Sequence, residues 1–110
     1  MVIAPGVVYH PYFVHGTEAG LVKIAFIGLD HVVLRVNNLD RMLAFYRDTL
    51  GCPVERRLDD LGLVQLRAGA SLIDLVPIGT PLGDMGGVAP GREGRNMDHF
   101  CLRVDNFDPE

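Results

Sequence analysis

The sequence predicts an α+β fold built around one βαβββ unit. Three observations carry this. A β-branched apolar stretch comes first, an amphipathic segment with a signal at each end follows it, and three short apolar runs come next, separated by turn residues.

The first stretch, residues 22–36, contains no Pro and reads as a strand. The segment NNLDRMLAFYRDTLG then reads as a helix over 39–50. Asn38 is a good N-cap, and Asp40 sits in the first turn, where the helix dipole favours a negative charge. Leu39, Met42, Leu43, Tyr46 and Leu50 recur at helical spacing. This puts Tyr46 in the helix core with its hydroxyl at the rim. Gly51 ends the helix, and Pro53 cannot continue it. Residues 54–58, 62–67 and 71–76 are the three further strands, with DDLG and RAGA supplying the turns.

Residues 1–21 hold no sustained period and are expected to form a poorly ordered extension, with a short strand near 7–9. His10 and His15 lie there and read as surface histidines. The module proper is expected over 22–77. Residues 78–96 carry most of the chain's Gly and Pro outside the extension and read as a connector.

After the connector the chain repeats itself. LDHVVLRVNNLD (29–40) returns as MDHFCLRVDNFD (97–108), with seven identical positions in twelve. A βαβββ unit leaves one sheet face uncovered, and stacking a similar unit against it is the usual solution. Residues 97–110 therefore read as the first strand of a second unit and the start of its helix. Asn106 or Asp108 would be the cap and Pro109 would stand near the first helical position. The second module is expected to be truncated after that strand.

Composition bounds the function. The 110 residues suggest one domain. A net charge of −4 with scattered basic residues argues against nucleic acid as a partner. Cys52 and Cys101 lack CxxC spacing and read as free thiols in a reducing compartment. No apolar run is long enough for a membrane span, and no basic-then-apolar start marks a signal peptide. A cytoplasmic protein is expected.

Strand side chains alternate faces. Leu29, His31, Val33 and Arg35 share the face that would look into a concave sheet. Met97, His99, Cys101 and Arg103 are their repeat equivalents, with Cys101 a small filler. Asp74 in SLIDLVP shares a face with Leu72 and Val76, and burial without a partner would disfavour it.

The stretch LDHVVLRVNNLDRMLAFYRDTLG, with a His in the first strand and the FYRDTLG helix end, resembles the vicinal oxygen chelate superfamily. That group holds glyoxalase I, extradiol dioxygenases, fosfomycin-resistance thiol transferases and bleomycin-resistance proteins. The resemblance runs over residues 27–108. It implies the glyoxalase/bleomycin-resistance/dioxygenase fold and a divalent metal centre, and His and carboxylate donors suit Zn, Ni, Mn or Fe. Glyoxalase-like members take one ligand from the first strand and one from the last strand of each module. His31, Asp74 and His99 match the first three positions. Asp74 departs from the usual Glu and is one methylene shorter. The fourth position falls beyond residue 110.

What the resemblance implies mechanistically is chelation of two vicinal oxygens of a small molecule, with a carboxylate near the metal as base. Arg35 and Arg103 are candidates for binding a substrate carboxylate, as charged forks do. An ion pair or a solvated sheet edge is their other role, and Asp74 has its own alternatives in capping a turn or pairing with Arg35. Two rival functions stand beside the enzyme: metal-free ligand binding of the bleomycin-resistance kind, and an inactive truncated product. A homodimer is expected, because Leu29, Val33, Leu72 and Val76 would otherwise face water. Module one would then pack on module one, or the 97–104 strand would cross to the partner's sheet.

Overall fold

The computed structural model describes residues 2–4, 7–10, 13–16, 20–93, 97–106 and 108, with side chains from Ile24 onward. The chain divides into two compact units, Met1–Asp30 and His31–Glu110.

In the first unit, β1 (Val2–Ala4), β2 (Val7–His10), β3 (Phe13–Gly16) and β4 (Gly20–Lys23) form an antiparallel meander in sequence order. Val8 pairs with His15, and Val14 with Val22. The sequence led to an irregular extension with one short strand. Strands of three or four residues are too short for alternation to register in any window, and only pairing to neighbours defines them. The long strand expected over 22–36 is also interrupted. Residues 24–30 belong to no strand, and within them Gly28 has φ +141°, a conformation that L side chains rarely adopt.

The second unit is the βαβββ module. It runs β5 (His31–Val36), α1 (Leu39–Leu43), β6 (Val54–Leu58), β7 (Leu63–Ala68) and β8 (Ser71–Pro77). The sheet order is β5-β8-β7-β6. β5 and β8 are parallel, and the other pairs are antiparallel. The first strand and the last are therefore neighbours, which is what brings their side chains to one place.

Helix α1 begins where expected. The Asn38 side-chain oxygen accepts from the Arg41 N–H at 3.0 Å. Past Leu43 the helix widens into a π-helical stretch, Ala44–Thr49. Leu50 N–H bonds Phe45 C=O, Cys52 N–H bonds Tyr46 C=O, both at 2.9 Å, and Gly51 leaves at φ +76°. Leu43 and Tyr46 are the buried residues of this segment. With Val36, Cys52, Val64, Leu66, Ile73 and Leu75 they make the core. Burying each large side chain stabilises the module by about 1.5–3 kcal/mol before entropy is charged against it.

The connector is partly built. Pro81–Asp84 forms one turn of helix, α2, capped by Thr80, whose hydroxyl accepts from Gly83 N–H at 3.2 Å. A Cβ at Gly83 would collide with the Pro77 carbonyl oxygen, so glycine is what lets α2 lie against the end of β8. Residues 97–104, expected as a strand, form none. They have no strand beside them to supply a ladder, although Phe100 packs against the core. Asn106 stands at φ 51°, unlike the extended Asn38 cap at φ −137°. Pro109 lies outside the described residues.

Candidate functional site

The register of the second sheet fixes what shares a face. His31 lies opposite Leu72, Val33 opposite Asp74, and Arg35 opposite Val76. On the other side of β8, Gln65 lies opposite Asp74 and Arg67 opposite Leu72. These residues occupy the face away from the core. The alternate positions, Val64, Leu66, Ile73 and Leu75, are buried on the other face with α1.

Asp74 is the anomaly of this face. It is 5% exposed. Its Oδ2 accepts from Gln65 Nε2 at 3.3 Å, while Oδ1 is buried with no hydrogen-bond partner. Nearly all buried polar atoms are paired, which sets this carboxylate oxygen apart from the rest of the face. His31 is exposed and two register positions along the neighbouring strand, about 7 Å in strand rise. An imidazole and a carboxylate on adjacent strands are side-chain types that divalent metals accept as ligands.

The other expected site residues lie elsewhere. Arg35 does not pair with Asp74. Its Nε donates to Gly83 C=O at 2.9 Å, Nη1 to Gly86 and Val88 C=O at 3.2 and 2.8 Å, and Nη2 to Gly87 C=O at 2.6 Å. Four neutral carbonyls hold the guanidinium that the sequence offered to a substrate. His99 is 79% exposed in its side chain, and its Nδ1 sits 2.6 Å from the Asp98 carboxylate. It lines an open groove of about 430 Å³ beside α1, with Leu34, Phe45, Tyr46, Leu50 and residues 97, 98, 100 and 102. Leu34 belongs to the core side of β5, so His99 is not on the face of His31. Arg103 and Cys101 are exposed. Among the described residues no three His, Cys, Asp or Glu side chains gather as metal donors. His31 and Asp74 share a face within the chain, and His99 does not join them.

The concave face is also less open than expected. Leu29, expected on this face, belongs to the first unit and is 76% exposed; Val33 is 48% exposed, but Leu72 is half-buried and Val76 is 4% exposed. Val76 lies beside Arg35 in the register, and α2 packs on its strand.

Sequence reasoning missed Gln65, the partner of Asp74. Its signal was there: Gln65 is the polar residue of LVQLRA, on the same alternation as Arg67. Arg67 in turn forks onto Glu55 at 3.0 and 3.2 Å and holds that carboxyl below its usual range. Burial, and secondarily the neighbouring Cys52, push the Tyr46 hydroxyl above its ordinary value of 10.0.

No helix among the described residues is long and apolar enough to cross a membrane. No curated protein and no solved structure matches the chain. The family model of the Glyoxalase/Bleomycin resistance protein/Dioxygenase superfamily matches residues 28–109, which takes in the whole βαβββ module and the repeated phrase, and the chain belongs to that superfamily.

Proposed function

We propose that the chain is a glyoxalase- or dioxygenase-like metalloprotein that acts on a small molecule, with His31 and Asp74 as one half of a divalent metal centre. The single observation that supports this is the buried, unpartnered Oδ1 of Asp74 on the face of His31. Gln65 holds Oδ2 and so fixes which oxygen is offered. The second pair of donors comes from a second copy of the module, related by a two-fold axis, or from the 97–104 segment of a partner delivering His99. A bound divalent ion would supply Lewis-acid polarisation of two vicinal substrate oxygens. The chain's own contribution is a half-buried face that restricts water around Asp74. Arg103 is free for a substrate carboxylate in such an assembly, whereas Arg35 is committed to its carbonyls.

Equilibrium dialysis with Zn²⁺, Ni²⁺, Mn²⁺ and Fe²⁺ tests the reading, alongside sedimentation at low micromolar concentration. The expected result is one ion per dimer, lost in both His31→Ala and Asp74→Asn. Unchanged stoichiometry in both variants would return these residues to a structural role. The open groove beside α1 favours metal-free binding of an apolar ligand as the second reading. A wild-type chain that takes up no metal moves the function to that reading.

A further inference from the structure

Residues 86–90, GGVAP, have almost no bonds of their own. Among the described residues, what reaches them from outside is a 3.4 Å turn bond from Gly87 N–H to Asp84 C=O and hydrogen bonds from the side chains of Arg35 in β5 and Asn37 just past it. Arg35 bonds the carbonyls of Gly86, Gly87 and Val88, and Asn37 Nδ2 bonds Pro90 C=O at 3.0 Å. The preceding turn, α2, is secured independently. Thr80 caps it, Asp84 Oδ1 accepts from Gly79 N–H at 2.8 Å, and Leu82 N–H bonds Leu61 C=O at 3.0 Å. The sheet does not need the strap either, since β5 is laddered to β8 along its length.

The strap is also shaped for its latch. A Cβ at Gly86 would press into the Arg35 side chain at 2.7–3.1 Å, and Gly87 stands at φ +89°. Its side chains do not anchor it: Met85 just before it is 79% exposed and Val88 is 92% exposed. Because Arg35 pairs with Val76, two register positions beyond the Val33–Asp74 pair, the strap lies at that end of the face.

We infer that Arg35 is the latch of a movable strap, residues 86–90, which closes one end of the concave face and opens as a unit while the sheet stays folded. The latch stands whether or not metal binds, since no metal donor takes part in it. One guanidinium meets three carbonyls of the strap and that of Gly83 in α2, against the single Asn37 bond to Pro90, so Arg35 carries most of the balance between open and closed. Bonds to a charged donor are the stronger kind, and losing several together shifts such a balance by more than tenfold.

A nitroxide spin label at Val88→Cys, in a Cys101→Ser background, reads the strap directly, because the label leaves the Val88 carbonyl in place. In the parent chain the spectrum is expected to show a slow, restricted component. Arg35→Met should convert it to a fast one, with the far-ultraviolet circular dichroism of the sheet retained. Arg35→Ala should regain the slow component on addition of low millimolar guanidinium ion, which refills the carbonyl cradle, but not with urea. If Arg35→Met fails to fold, Arg35→Lys carries the test: one ammonium cannot span four carbonyls, so the slow component should fall. An unchanged spectrum in Arg35→Met or Arg35→Lys would overturn the latch. So would loss of the sheet signal together with the strap in both.

Discussion

Residues 29–40 and 97–108 spell nearly the same phrase and meet different fates. In the first, the six residues of β5 ladder to β8, Val36 is 3% exposed and Asn38 caps a helix. In the second, no strand forms, Val104 is 66% exposed and Asn106 sits in a left-handed conformation. Arg35 has four acceptors, whereas Arg103 is exposed. The comparison teaches that strand propensity is conditional. An extended segment needs an edge to pair with and an apolar face to bury, and the phrase supplies only half of each.

Breaking β8 should therefore do more than anything done to the second phrase. Leu75→Ala, fully buried beneath α1, is expected to destabilise by about 2–5 kcal/mol in urea unfolding, and Leu102→Ala by under about 0.5 kcal/mol. Equal effects would mean that the second phrase is folded into the core. Replacing the Asn38 cap and its repeat counterpart Asn106 sharpens the same contrast: Asn38→Ala should lower stability by about 1 kcal/mol, while Asn106→Ala should leave the unfolding midpoint unchanged. Asp74→Asn removes a charge whose Oδ1 has no partner, and should raise stability by about 1 kcal/mol in the metal-free chain. A lower midpoint would show that the carboxylate is satisfied in solution.

Two pH effects are smaller. Tyr46 is held above its ordinary value of 10.0 in the fold. Its contribution is complete below that pH and is lost as pH rises from there through the raised folded value, so alkaline unfolding should steepen above about pH 10. Tyr46→Phe should remove that slope. Glu55 is held below its ordinary value of 4.5 by the hydrogen bond and charge of Arg67, so its contribution is present above that pH and is lost as pH falls through the lower folded value. Glu55→Gln should flatten the acid limb slightly, the smallest change of the series.

Much of the module was legible because its signals are local. Asn38 and Gly51 bracket the helix, and alternation in SLIDLVP put Asp74 on one face before any strand was paired. What was not legible depends on contacts between distant residues. Arg35 looked like a ligand-binding fork because nothing in 29–40 announces the carbonyls of Gly83–Val88, some fifty positions away. Val76 was expected in the open and is buried, on the strand that α2 packs against. His99 inherited its role from the repeat, but the pairing that would carry it to the face of His31 does not form within one chain. Of the strands in residues 2–23, the one near 7–9 was expected and the meander around it was missed, because each strand is too short to speak without its neighbour.

The π-helical stretch at Ala44–Thr49 has a consequence for how this module tolerates change in length. A wide turn closes its bonds five residues apart where an α-turn needs four, so it stores one residue of slack between two fixed points, the Asn38 cap and the Gly51 exit. Removing Arg47, an exposed residue past the buried Tyr46, would let the bonds revert to α spacing without displacing either end. The same deletion in β8 would send every later side chain to the opposite face. The helix is thus where this chain has room to lose a residue, and β8 is where it has none.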